Sequence, residues 1–223
     1  MAQPVEALAF DLYGTLVDPI GIWRRLTVDL GEAAPRAAEV WRAKQLEYTF
    51  RLTAMQQYQD FEQVTRLSLD YALALLGHEL SEAGRQALLA EYDRLALFAD
   101  VPEGLRRLRA AGHRLAILSN GSPRMLAAAI GSAGLDGLFE ALISVDEVRV
   151  YKPSPRVYQH AAQRLGRPLA EVRLVSSNPF DVLGAAATGM QVAWLDRSRG
   201  VFDTLGPPPE LVVTTLAELA DRL

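Results

Sequence analysis

There is no cysteine among the 223 residues. That excludes a disulfide framework, a thiol nucleophile and thiolate–metal sites, although it does not locate the protein. Basic charge is not in excess either. Lys+Arg number 23 against 27 Asp+Glu, for a net charge of −4. No nucleic-acid partner is expected, because nothing is available to neutralise a run of phosphates. Long hydrophobic runs are missing too: no stretch approaches the ~20 apolar residues of a membrane span. The start, Met1 to Glu6, lacks the basic region and apolar run of a signal peptide, so the cytoplasm is the expected location. His78, His113 and His160 show no metal-ligand spacing. What is present is ordinary: 50% hydrophobic and 22% charged residues, the profile of a soluble globular chain. The length fits one or two domains and buries a core without a disulfide or metal staple.

Short apolar runs alternate with amphipathic helical patterns, which predicts an α/β fold with a parallel sheet. Strands are expected at Val5–Phe10, Arg114–Leu118, Ala141–Val145, Arg173–Ser176, Gln191–Leu195 and Leu211–Val213. Helices fit between them. One starts near Pro102 and closes at Gly112. Another runs from Pro123 to Ala133 before Gly134. Ser154-Pro155 offers an N-cap and N1 pair for a helix ending at Gly166, and Asp181 to Thr188 ends at Gly189. From Ile20 to Leu97 the pattern is helical with no convincing strand, punctuated by Gly31, Pro35 and the Gly77–Ser81 region. This reads as a helical cap, residues 18–97, inserted into a Rossmann-like core of residues 1–17 and 98–223. It would cover the edge where open α/β sheets bind ligands. Phe50, Met55, Tyr58, Phe61 and Tyr71 are expected in the cap core, with Leu46 and Phe61 near a substrate pocket.

The candidate chemistry begins with Phe10-Asp11-Leu12-Tyr13-Gly14-Thr15-Leu16. Here an Asp leaves a buried strand and enters a glycine loop. The loop's amides can cradle an anion, and a carboxylate there can act as a nucleophile; an Asp that merely caps a loop is the plainer alternative. Three more polar groups follow predicted strands: Ser119-Asn120-Gly121, Lys152 before Pro153, and Ser176-Ser177-Asn178-Pro179-Phe180-Asp181. Singly, each has an ordinary explanation as a cap or a solvated charge. All four, arriving in order after four parallel strands, converge on one sheet edge.

With Asp11, Ser119, Lys152 and the 176–181 segment at its four motif positions, the chain resembles the haloacid dehalogenase superfamily. The resemblance implies a Rossmann-like core, an inserted cap and an aspartate nucleophile. Phosphatases of that superfamily usually read Asp-x-Asp at the first motif and carry a further Mg²⁺-binding carboxylate in the fourth. Here those positions hold Tyr13 and Ser177. Asp11 and Asp181 beside Lys152 make a poor cage for a hard cation that wants several anionic oxygens, so no metal and no cofactor is expected. Without Mg²⁺ a phosphate dianion would meet uncompensated repulsion at Asp11, whereas a monoanionic haloacid brings less charge and a leaving group that needs no proton. The chain is similar to the L-2-haloacid dehalogenase branch in Asp11-Leu12-Tyr13-Gly14-Thr15-Leu16 and in Ser176-Ser177-Asn178-x-x-Asp181. It also carries the cap octet Trp41-Arg42-Ala43-Lys44-Gln45-Leu46-Glu47-Tyr48. Pro179-Phe180 departs from the Ala-Trp of many relatives.

Chemistry and resemblance together assign expected roles. Asp11 is the nucleophile, kept ionised by Lys152. Thr15 and Ser176 are supporting hydrogen-bond partners. The substrate carboxylate is expected on the Ser119 hydroxyl and the amides of Leu12, Tyr13 and Ser119. Arg42, Asn120 and Phe180 meet the departing halide. Asp181, positioned by Asn178, activates water, and Tyr158 closes the polar cluster. The expected partners are a small 2-haloacid and its halide, with a homodimer implied by the family. The competing readings are a phosphatase or phosphomutase of the same superfamily and a non-catalytic binding module.

Overall fold

The computed structural model describes residues 7–223. The short apolar runs become β1 (Ala7–Phe10), β2 (Arg114–Ser119), β3 (Ala141–Ser144), β4 (Val172–Ser176), β5 (Gln191–Leu195) and β6 (Leu211–Val213). They form one parallel sheet in the order β3-β2-β1-β4-β5-β6, so the expected α/β class is borne out. Helices cover both faces of such a sheet, which is why its strands read as continuous apolar runs; all four residues of β1 are buried. The chain steps from β1 to β2 on one side and later to β4 on the other. The C-terminal end of β1 is therefore the switch point where ligands bind in folds of this kind. Of the first expected strand, Val5 and Glu6 lie outside the described residues.

The insertion between β1 and α5 (Val101–Ala110) is helical, as expected. It contains α1 (Trp23–Leu30), α2 (Ala34–Ala54), α3 (Phe61–Leu75) and α4 (Glu82–Glu91). Gly31, at φ 53°, ends α1. Pro35 does not break the pattern: it sits in the first turn of α2, where a missing N–H is harmless. A break at residues 55–60 was not expected. Its signal was Asp60-Phe61-Glu62-Gln63, in which the Asp60 carboxylate accepts from the Gln63 amide at 2.8 Å and caps α3. The insertion leaves and returns side by side, with Asp18 N donating to Ala96 O at 2.9 Å and Phe98 N to Leu16 O at 3.0 Å.

The cap core differs from expectation. Of the five aromatic and Met residues assigned to it, Phe61 is buried, Tyr58 is half-buried, and Phe50, Met55 and Tyr71 are exposed. The buried stripe of α2 runs through Trp41, Gln45, Thr49 and Leu52. At 3.6 residues per turn this turns Phe50 to another face, where its ring meets Phe180 of the core at 5.0 Å. Polar contacts tie the helical insertion to the rest of the chain: Ser122 Oγ and Arg124 Nε donate to Glu62 at 2.6 and 3.0 Å, and Tyr151 Oη donates to Gln59 O at 2.6 Å.

The remaining helices are α6 (Pro123–Ser132), α7 (Pro155–Leu165), α8 (Pro179–Ala186) and α9 (Leu216–Arg222). Ser154 holds the N-cap position of α7 but makes no side-chain capping bond; its carbonyl accepts from Val157 N at 3.0 Å. α8 starts at Pro179 rather than Asp181, because the fixed φ of proline suits N1. Asp181 therefore lies within the first turn and is not a cap. No helix among the described residues is long and apolar enough to cross a membrane.

One glycine sets the distance between α8 and the segment that carries Lys152. A β-carbon at Gly184 would lie 2.5 Å from Pro153 Cβ and 2.7 Å from Tyr158 Oη. Gly184→Ala is expected to destabilise the fold by about 1–3 kcal/mol through overpacking and to lower halide release as well. A thermal midpoint equal to that of the parent would show that the helices separate freely here.

Candidate active site

The loop after β1 turns back on itself, with Leu16 N and Val17 N both donating to Leu12 O at 2.9 and 3.1 Å. Gly14 makes the turn possible at φ 91°, a conformation that other residues rarely adopt. The turn presents Asp11 at the end of β1, 6% exposed. Its two oxygens are treated differently. Oδ2 accepts from Thr15 Oγ1 and from Asn178 Nδ2, each at 2.8 Å. Oδ1 accepts from Lys152 Nζ at 3.2 Å. Thr15 is itself fixed, since its Oγ1 accepts from Ser177 N at 2.9 Å. Asn178 stands at the N-cap of α8 without capping it; its amide is used on Asp11 and on Tyr13 O, at 3.3 Å. Ser176 acts one bond away, its Oγ accepting from Asn178 N at 3.1 Å.

Lys152 is buried, and its ammonium donates to Asp11, to Asp181 Oδ2 at 2.8 Å and to Leu118 O at 2.6 Å. All three of its protons are thus engaged. Burial works against its charge, but Asp11 and Asp181 more than offset that, and its pKa rises above the ordinary lysine value. Asp181 is fully buried. Desolvation raises its pKa, opposed by the Lys152 charge and reinforced by that of Asp11. Tyr158 Oη donates to Asp181 Oδ1 at 2.8 Å. Its pKa is pushed well up by burial and by the Asp181 charge, so it remains a donor.

Above Asp11 lies a small cavity lined by Asp11, Tyr13, Arg42, Leu46, Phe61, Asn120, Lys152, Asn178 and Phe180. Its volume of about 10 Å³ is near the space one water needs. Arg42 enters from α2 and donates through Nη2 to Tyr13 O at 2.9 Å. Asn120 Oδ1 accepts from Lys152 N at 3.2 Å. Thr15, Ser176, Tyr158 and Asp181 support the cavity from behind. Leu12 and Ser119 are buried beside it and do not line it. Ser119 Oγ accepts from Gly121 N at 3.2 Å. Among the described residues, the amides of Leu12 and Tyr13 donate to no backbone carbonyl. A larger groove, about 450 Å³, opens between α3, α4 and α6, but Arg124 there is paired with Glu62 and Asp93 and Arg66 with Glu82.

Two contributors were not singled out from the sequence. Gln45, fully buried on α2, accepts from Arg42 Nη1 at 2.7 Å. Arg197, just past β5, donates through Nη2 to Thr15 O at 2.9 Å and pairs with Asp100. Gln45 had a signal in its spacing of three from Arg42 on a helix; Arg197 had one in its place after a strand end.

The donor set does not fit the Mg²⁺ of the superfamily's phosphatases. Tyr13 is an aromatic buried against Phe61 and Tyr92, and burial raises its phenol pKa well out of range, so it brings no charge. Ser177 Oγ has no hydrogen-bond partner among the described residues. The Lys152 ammonium bridges the Asp11 and Asp181 carboxylates. Among the described residues, no cluster of three or more His, Asp or Glu comes close enough to hold a metal.

The profile of the haloacid dehalogenase-like hydrolases matches residues 5–189. An (S)-2-haloacid dehalogenase of Pseudomonas sp. (strain YL) is 40% identical, over 97% of this chain and 94% of that protein. Haloacetate dehalogenase H-2 of Moraxella sp. (strain B) is 40% identical over 96% of each. The solved L-2-haloacid dehalogenase of Xanthobacter autotrophicus with chloropropionic acid covalently bound superposes with a TM-score of 0.91. It is 36% identical and covers 97% of each chain.

Proposed function

The chain belongs to the family of haloacid dehalogenase-like hydrolases, and on that premise we propose that it hydrolyses small L-2-haloacids to D-2-hydroxyacids through an ester on Asp11. One observation carries the proposal: Asp11 Oδ2 is held by Thr15 and Asn178, while Oδ1, beside the cavity, accepts from the Lys152 ammonium. A carboxylate fixed through one oxygen keeps the other free to attack. Asp11 Oδ1 bonds to C2 as the carbon–halogen bond breaks and the halide leaves with its electron pair. Arg42, Asn120 and Phe180 stabilise the leaving halide, and the free amides of Leu12 and Tyr13 hold the substrate carboxylate with Ser119. Asp181, more basic than an ordinary carboxylate because it is buried, takes the proton of the water that opens the ester. Residues 18–97 act as the cap over this site. The molecule is a homodimer, a reading supported by exposed Leu67, Tyr71 and Leu75 on α3.

The test is product release from 2-chloropropionate, haloacetates and phosphate esters, with and without EDTA. Chloride release is expected to survive exhaustive EDTA treatment, because Tyr13 and Ser177 stand where carboxylates would hold a hard cation. Phosphate esters are expected to release nothing. Activity lost to EDTA and restored by Mg²⁺, or phosphate release, would instead favour the phosphatase reading.

A further inference from the structure

Resting on that reading, we propose that Gln45 is a positioning residue for dehalogenation, aiming the Arg42 guanidinium at the departing halide. Arg42 reaches the cavity on a long flexible side chain from the cap, and such a side chain loses entropy when it is fixed in one direction. Two acceptors fix it. Tyr13 O, from the core, takes Nη2 at 2.9 Å, and Gln45 Oε1, one turn further along α2, takes Nη1 at 2.7 Å. Of the two, only Gln45 moves with the cap. Its other end is anchored as well: Nε2 donates to Thr65 Oγ1 at 2.7 Å, and Thr65 Oγ1 donates to Phe61 O at 2.6 Å on α3. Arg42 is thus tied through Gln45 to a second cap helix.

The residue type matters. Gln45 is fully buried, and a buried polar side chain persists where its hydrogen bonds are made. An amide can accept from Arg42 and donate to Thr65 at once. It also leaves the guanidinium charge whole, whereas a carboxylate at this place would neutralise the charge meant for the halide. A guanidinium held ready needs no reorganisation when charge develops, which is where such stabilisation is most effective.

The test is single-turnover halide release with enzyme in excess, comparing 2-chloro- and 2-bromopropionate. Gln45→Met is close in size and removes the bonds to Arg42 and Thr65, together with the contact Gln45 makes to the Tyr92 hydroxyl. It is expected to slow chloride release about tenfold or more and bromide release less, since bromide leaves more readily, with substrate affinity little changed. In an Arg42→Lys background the same change should add less than twofold, because the residue it positions is gone. Thr65→Val, which removes only the anchor, should reproduce the halide pattern more weakly, and it serves if Gln45→Met does not fold. Equal losses on both halides, or full additivity with Arg42→Lys, would mean that Gln45 is merely structural. If Arg42→Lys is slow while Gln45→Met and Thr65→Val are silent, this proposal alone falls. If Arg42→Lys releases both halides at the parent rate, the role given to Arg42 under the proposed function falls with it.

Discussion

In H₂¹⁸O with enzyme in excess over an L-2-haloacid, the first product is expected to carry unlabelled hydroxyl oxygen, and the label is expected in the Asp11 carboxylate. Asp11 Oδ1 displaces halide from the face opposite the leaving group, so C2 inverts once. Water then attacks the carbonyl carbon of the Asp11 ester rather than C2. The oxygen that stays on C2 is the one that Asp11 supplied. With repeated turnover the product acquires label. Stereochemistry by itself does not discriminate, because water attacking C2 directly would also invert it. Mass spectrometry of the single-turnover product and of the peptide carrying Asp11 does. Labelled product with unlabelled Asp11 would rule out the ester. Asp11→Asn should lower halide release by on the order of 10⁴-fold or more, the scale seen when a nucleophile is removed. Retention of most activity in that variant would have the same meaning as the wrong isotope pattern.

Asp181→Asn is expected to separate the two halves of the reaction: one equivalent of halide per active site, then arrest with the ester in place. The amide still accepts a hydrogen bond but cannot take a proton from water. Halide quantified by rapid quench, together with the mass of the intact chain, measures both outcomes. Full turnover would remove Asp181 from the role of base. The absence of any burst would mean that its main effect is to orient Lys152, which it meets at 2.8 Å. The pH profile gives a second measure. Burial raises the Asp181 pKa above its ordinary 3.8, so ester hydrolysis should fail on the acid side at a pH above that value, as Asp181 protonates. The sign for stability is opposite. A carboxyl whose folded-state pKa is raised holds its proton more tightly in the folded state. Protonating Asp181 as the pH falls therefore does not destabilise the fold, and in this window the loss through Asp181 is catalytic.

Much of this molecule was legible in one dimension because the relevant physics is local. Strands buried on both faces must be apolar throughout, which marked the strand positions from β2 to β6 to within a residue or two. Pro123, Gly166 and Gly189 punctuated helices through backbone preferences that need no partner. The order of Asp11, Ser119, Lys152 and Asp181 was readable because a parallel sheet sends every strand end to the same edge, and the cap octet flagged Arg42 before any geometry was known. What a residue does beyond its own turn was not readable. Asp60, which caps α3, was not recognised as a helix start. Phe50 looked like core because apolar type does not reveal which face of a 21-residue helix turns inward; that depends on what α2 packs against. The division of labour between the Asp11 oxygens, the diversion of Asn178 from capping α8, the bridge of Lys152 between two carboxylates and the hold of Gln45 on Arg42 join residues up to 167 positions apart. Sequence by itself determined which chemical groups the sheet edge would receive. Only the tertiary structure decided how they pair, because a hydrogen bond depends on distance and direction across the folded chain, and neither is encoded in spacing along it.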